Sequence, residues 1–366
     1  MKGLTDFIKN KINKVRFGQL DQLKETPAVN MTKILLNPKN ILIIPYNRMG
    51  TLLLASRVFK AFREHYASAK ITVAVYEPWS VLISKDPAID NVVAYGDDID
   101  TPNSRGFQNI GKTLAIQKFD LAFFLSYQFD PVMAYLTRLS EADLRVSFKS
   151  NYEIPYFNVE LIPAAGNRYE VDRYLEMLRT LGIEGNMRDY TLKIGDSIRQ
   201  KAKLRYLTGF SPDDKKKRFI GFDLTKEIAG EPINKKNTEQ VINTLISGFD
   251  ATVIVFFEPQ KKAMVAELKE SFGKKIILVD DRPVSIVAGL MSFCKFVVTH
   301  NTDLFQLAVA LKTPNIGILY PKEMIQWSPG EDSNLMHLDR SGGSWSSANT
   351  ILQTAKKLIN QVHKVK

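Results

Sequence analysis

The sequence predicts an α/β protein of two doubly wound halves facing one another across a cleft, and three observations carry that reading. From residue 41 onward, short apolar runs alternate with amphipathic stretches. The alternation pauses in a polar stretch, SPDDKKKR at 211–218, and then restarts. The length of 366 residues exceeds one core of common size and suits two.

In the first half, ILIIPY (41–46) reads as a strand buried on both faces, since its apolar run leaves no polar side. GTLLLASRVFKAFREHY (50–66) reads as a helix with Leu53, Val58, Phe62 and Tyr66 near one face. Strands are expected at ITVAVY (71–76), NVVAYG (91–96) and FDLAFFLS (119–126), with helical patterns between them. LRVSF (144–148) is expected to close this sheet. RYEVDRYLEMLRTLGIEG (168–185) is a long amphipathic pattern ending at a glycine cap. The second half offers strands at 219–224, 251–257, 275–280, 295–300 and 315–320, with helices at 236–248, 260–272, 284–292 and 303–311. A last helix is expected at 347–362. The resulting division is a basic amphipathic extension (1–38), a first domain (39–165), interdomain helices and linker (166–214), a second domain (215–345) and a C-terminal helix with a basic tail (346–366).

Composition narrows the function. Hydrophobic residues at 45% and charged residues at 24% exclude a disordered chain. A single cysteine, Cys294, excludes a disulfide framework or a multi-cysteine zinc site and fits a reducing, cytoplasmic compartment. No run approaches the roughly 18–20 apolar residues that span a bilayer, and the start lacks the apolar core of a signal peptide. Fifty Lys and Arg against 39 Asp and Glu leave a net charge of +11, which points to a polyanionic partner. No helix-turn-helix, zinc-finger or RNA-binding signature accompanies that charge, which speaks against nucleic acid. In MKGLTDFIKNKINKVRF, Leu4, Phe7, Ile8, Lys11, Ile12 and Val15 recur at spacings of three and four, with Lys9, Lys14 and Arg16 taking much of the remainder. Such a helix can lie on an anionic membrane surface or pack on its own domain.

A cleft at the carboxyl ends of parallel strands is where nucleotides commonly bind, beside helix N-termini. The first strand–loop–helix, ILIIPYNRMGTLLLAS, holds one glycine and matches neither GxGxxG nor GxxxxGK[ST]. There is no HExxH and no clustered metal-ligand spacing, so no metal site is expected. DDID (97–100) reads as a solvated acidic turn or a cation ligand.

The order of motifs resembles glycosyltransferase family 9, the bacterial heptosyltransferases. ILIIPYNRMGTLLLASRVFKAFREHYASAKITVAV is similar to the family's opening strand, R/S-x-G-D loop and helix. FDLAFFLSYQFDPVMAYLTRLSEADLRVSF and VDRYLEMLRTLGI are similar to its next segments. KFVVTHNTDLFQLAVALKTPNIGILYPKEMIQWSP is similar to its D-T-G-x-x-H nucleotide-sugar loop and following strand. The resemblance covers about residues 40–345. It implies two Rossmann-like domains in the GT-B architecture, the first for the acceptor and the second for the nucleotide sugar. It also implies metal-independent, inverting transfer from a nucleotide sugar such as ADP-heptose to a lipopolysaccharide or other cell-envelope glycan, with no further cofactor.

The polar positions depart from the family. Where the family carries the aspartate proposed as general base, this chain has Thr51, which has no useful basicity near neutrality. Asp130, after a strand in YQFD, is a candidate substitute base, and capping the next helix is the simpler role for it. In the donor loop, Asn301 replaces Asp, Thr302 is kept, Asp303 replaces Gly and Gln306 replaces His. Asp303 would repel a phosphate unless it points away or caps the following helix. Lys226, with Lys235 and Lys236 as alternatives, stands where a lysine would offset leaving-group charge. His300 ends a strand beside the loop and could titrate near neutrality or be structural. Trp327 could stack on a base or pack a wall, and Arg48, Met49 and Gly50 are the acceptor-side candidates. A diverged, inactive family member that only binds a glycan or protein is the alternative. The charge excess, concentrated at the N-terminus, in KKKR (215–218) and in HKVK (363–366), fits a protein working against an anionic membrane where glycolipid acceptors reside.

Overall fold

The computed structural model of the chain describes residues 28–150, 156–184, 191–208, 218–225, 235–280, 283–332, 334–341 and 347–365. The expected N-terminal amphipathic helix, Lys226 and the lysines at 215–217 lie outside them. The chain divides into two units, Met1–Gly166 with Glu170–Asp189, and Asn167–Tyr169 with Tyr190–Lys366.

Unit 1 holds β1 (Asn40–Pro45), β2 (Lys70–Tyr76), β3 (Asn91–Tyr95), β4 (Leu121–Leu125), β5 (Leu144–Phe148) and β6 (Val159–Leu161). They form one parallel sheet in the order β3-β2-β1-β4-β5-β6. Its helices are α1 (Met31–Leu36), α2 (Met49–His65), α3 (Glu77–Ile83), α4 (Arg105–Ile116), α5 (Pro131–Leu139) and α6 (Glu170–Thr180). Alternate residues of the central strands serve opposite faces. Leu42, Ile44, Ala122 and Phe124 pack with Phe107, Leu114 and Met133 of α4 and α5. On the other face Phe123 meets Phe62 of α2 edge-on at 4.8 Å.

Unit 2 holds α7 (Asp196–Tyr206), β7 (Arg218–Leu224), α8 (Lys235–Phe249), β8 (Ala251–Phe257), α9 (Lys262–Phe272), β9 (Ile276–Asp280) and α10 (Val284–Met291). These are followed by β10 (Cys294–His300), α11 (Asp303–Ala310), β11 (Asn315–Leu319), α12 (Pro321–Trp327), β12 (Leu335–Asp339) and α13 (Ala348–Val365). The sheet order, β12-β11-β10-β7-β8-β9, is again all parallel. Counted within its own unit, it repeats the order of the first sheet. Ile220, Phe222, Val253, Val255, Phe296 and Val298 pack beneath α8, α9 and α13. On α10, a Cβ at Gly289 would stand 2.7 Å from Ala202 Cβ of α7, so glycine lets those helices meet closely.

The structure corrects the expected elements at the sheet margins. LRVSF does not close the first sheet, because the three-residue β6 adds beyond it, and β12 does the same in unit 2. Both are edge strands without a run of buried residues, so they carry little apolar pattern. The helix expected over 168–185 spans only Glu170–Thr180. Gly182 at φ 77 turns the chain, and Gly182 N donates to Arg179 O and Ile183 N to Leu178 O, both at 2.9 Å. That pattern is a Schellman cap closed by the earlier of the two glycines.

Candidate functional site

In this topology each unit has a point where the strand order reverses: β1 beside β4 in unit 1, and β7 beside β10 in unit 2. In folds of this kind, chain segments leaving the carboxyl ends of the strands diverge at such a point, and ligands commonly bind there.

At the unit 2 point, β7 delivers Asp223 and β10 delivers His300, both buried. Asp223 accepts from the Thr302 hydroxyl at 2.5 Å and from the Thr225 hydroxyl and N–H at 2.7 and 2.9 Å. The loop after β10 is therefore tied to the first strand of the unit across 79 residues of sequence. Thr302 also caps α11, its oxygen accepting from Phe305 N at 3.4 Å. Asp303, in the first turn of α11, is exposed and is not the cap. Burial and the positive charges of Arg340 and Lys261 hold the His300 imidazole near a pKa of about 4, against the opposing pull of Asp223. His300 is thus a neutral ring at neutral pH, not a group titrating there.

The rest of the loop is braced from β11–α12. Asn301 Nδ2 donates to Glu323 Oε1 at 2.8 Å, while Glu323 Oε2 accepts from Tyr320 N at 2.9 Å. Gln306, buried at the position of the family histidine, donates to Trp327 O at 2.7 Å. Trp327 ends α12 half-buried. Arg340 lies with its guanidinium 4.8 Å from the Tyr320 ring centroid. Lys235 is engaged elsewhere, with Glu267 at 2.5 Å and Glu239 at 3.9 Å. Lys236 is exposed on the first turn of α8.

At the unit 1 point, Arg48 is the exposed first residue of the loop-to-α2 junction, while Met49 and Gly50 are buried in the first turn of α2. The Thr51 hydroxyl lies 2.9 Å from Tyr46 O and 2.8 Å from Arg48 O, so its proton is committed to the loop backbone. Asp130 caps α5, with Oδ1 accepting from Val132 N at 2.9 Å and Met133 N at 3.2 Å. Burial raises its carboxyl above the ordinary range although both N–H groups favour the anion. Its charge raises the neighbouring Tyr46 and Tyr95 phenols, on which burial acts most strongly. Tyr95 in turn donates to Asn47 Oδ1 at 3.3 Å. The DDID turn is structural in its first two members: Asp97 accepts from the Tyr76 hydroxyl, and Asp98 Oδ2 accepts from Gly106 N at 2.9 Å.

The loop after β4 is braced from α6. Glu170 Oε1 accepts from Tyr127 N at 3.3 Å, and Arg173 stands 4.2 Å from the Tyr127 ring centroid. Arg173 donates to Ala164 O at 3.1 Å and Gly166 O at 2.6 Å. Both charges are buried, and desolvation raises the Glu170 carboxyl.

Thus His300, Asn301, Thr302, Asp303, Gln306 and Trp327 gather in unit 2, and Arg48, Met49, Gly50, Thr51 and Asp130 gather in unit 1. Sequence reasoning missed Asp223, Glu323, Arg340 and Lys261 around the loop after β10, and Tyr46, Asn47 and Tyr95 around Asp130. Asp223 had a legible signal, a carboxylate near the end of an apolar strand run; the others had none. Among the described residues, no group of three or more His, Cys, Asp or Glu is arranged to hold a metal ion.

Residues 107–344 match the family model described as glycosyltransferase family 9 (heptosyltransferase). No curated protein matches the chain. Among solved structures, a glycosyltransferase family 9 protein of Veillonella parvula DSM 2008 superposes with a TM-score of 0.76 at 15% identity, covering 89% of this chain and 98% of its own. E. coli ADP-heptose lps heptosyltransferase II gives 0.70 at 16% identity, covering 88% and 99%. E. coli heptosyltransferase WaaC with ADP gives 0.64 at 18%, covering 88% and 98%. The two parallel six-stranded sheets with their helices are the GT-B architecture of those structures. With about two thirds of its length matched by the family model, the chain belongs to glycosyltransferase family 9.

Proposed function

We propose that this protein transfers a sugar from a nucleotide sugar to a lipopolysaccharide or other cell-envelope glycan acceptor, with inversion and without a metal. The observation that carries this is the donor loop of unit 2. Thr302 is anchored to buried Asp223, and its helix N-terminus stands beside a neutral His300 under the positive influence of Arg340 and Lys261. Those two cations would offset charge on the leaving nucleoside diphosphate, a part also open to Lys226, which lies outside the described residues. ADP-heptose is the donor that family membership favours. On the acceptor side Arg48 would orient the glycan, and Asp130 would accept the hydroxyl proton as the anomeric carbon is attacked. The helix cap uses Asp130 Oδ1 only, and a raised carboxyl pKa makes the anion a stronger base. The reaction would run in the cytoplasm at the inner face of the membrane, where a charge of +11 meets anionic lipid.

One observation favours a second reading, a family member that binds without turnover. The group at the family's base position, the Thr51 hydroxyl, is spent on backbone carbonyls. Calorimetric titration with ADP-, UDP- and GDP-sugars, followed by a transfer assay on isolated envelope glycan, separates the two. Donor binding with transfer that falls about 100-fold or more in Asp130→Asn supports the transferase. Glycan binding without transfer supports the second reading, and failure to bind or hydrolyse any nucleotide sugar would sink the first.

A further inference from the structure

At the opposite end of β10 from His300, a cavity of about 340 Å³ opens between the start of that strand, the end of α11 and the last turns of α13. Its size falls among small-molecule sites, which run about 300–1,000 Å³. Its lining includes Lys295, Lys312 and His363 together with Leu311, Ile359 and Val362. No carboxylate is among the lining residues. The lining thus combines two lysine side chains with apolar ones.

Its surroundings add a backbone feature at Lys312 and a charge pattern on α13. Lys312 sits at φ 52, closing α11 where glycine is the favoured residue. Lys312 N donates to Val309 O at 3.2 Å and Thr313 N to Ala308 O at 3.0 Å, the same Schellman pattern that Gly182 completes. Lys118 of unit 1 has the same backbone conformation, so glycine replacements at the two positions are matched. Meanwhile α13 has no Asp or Glu from Ala348 to Val365, and Lys356, Lys357 and Lys364 are exposed on it. The positive field continues from the cavity along that helix.

We propose that this cavity takes the phosphate headgroup of an anionic phospholipid, with Lys295 and Lys312 on the phosphate and Ile359 and Val362 against the adjoining apolar part. Unit 2 then has its own point of attachment to an anionic bilayer, separate from the basic N-terminal stretch and independent of sugar transfer.

Co-sedimentation of the full chain with vesicles tests this, comparing phosphatidylglycerol in phosphatidylcholine against phosphatidylcholine alone. The variant Lys295→Gln with Lys312→Gly removes two charges, and the glycine suits the left-handed backbone, so folding is kept. Lys112→Gln with Lys118→Gly is the matched control, because Lys118 is also exposed at φ 52 after a helix, in unit 1. The cavity variant should weaken binding to anionic vesicles about tenfold while the control stays within about twofold. Equal losses in both variants would reduce the effect to overall charge and overturn the site. Calorimetry with soluble glycerol phosphate forms the second arm. If it binds with the same dependence on Lys295 and Lys312 while vesicle binding is unchanged, the cavity serves a soluble phosphate and the lipid proposal falls.

Discussion

Replacing His300 with Gln should flatten the acid sensitivity of unit 2. In the folded protein the imidazole has a pKa of about 4, set first by burial, against 6.5 for an unhindered ring. Between those values the unfolded chain takes up a proton that the native state refuses. The unfolded state then binds more protons, so the free energy of unfolding falls as pH drops from about 6.5 toward 4. The gap is worth about 3 kcal/mol when fully expressed, and about 2 kcal/mol of it falls between pH 7 and pH 4.5. His337 is also lowered by burial, but it titrates identically in both proteins and cancels in the comparison. The raised carboxyls of Asp130 and Glu170 belong to unit 1. Hydrogen exchange of peptides covering β7 and β10, corrected for intrinsic rates, should therefore lose about 2 kcal/mol more protection in the wild type than in His300→Gln. Parallel losses in the two proteins would refute the neutral, desolvated assignment of His300.

Other consequences can be read by urea unfolding. Lys118 and Glu141 hold φ values of 52 and 54 at helix ends, so Lys118→Gly and Glu141→Gly should each stabilise unit 1 by about 1 kcal/mol. Thr302→Val removes the donor to buried Asp223 and should cost about 2 kcal/mol, with Thr302→Ser restoring most of it. Arg173→Met strands the Glu170 carboxylate and should cost about 3–5 kcal/mol at pH 7, whereas Glu170→Gln with Arg173→Met together should recover much of the loss.

Much of this architecture is legible one segment at a time. Strands such as ILIIPY and ATVIVFF are buried on both faces, so their apolar runs announce a covered parallel sheet without knowledge of their neighbours. The glycine that ends α6, the threonine that begins α11 and the aspartate that begins α5 are local signals of the same kind. They depend on backbone groups within a few residues, and a sequence displays those directly. Family likeness is legible for the same reason, since its motifs are short and lie at strand and helix junctions.

What the sequence could not decide is which distant residues share a strand end. Thr302 meets Asp223 only because β10 lies beside β7, and Arg340 acts on His300 only because β12 and β11 continue that sheet. Strand order is fixed by burial summed over a whole unit, so no window of the chain records it. Edge strands β6 and β12 were hidden for a related reason: partly exposed, they carry no full apolar run. The fold class was therefore legible from local pattern alone. That His300 is held neutral, with Arg340 and Lys261 acting on it, and that the Thr51 hydroxyl is bonded to its own loop emerge only from packing. Protonation and charge pairing follow desolvation and proximity in space, and both exist only once the chain is packed.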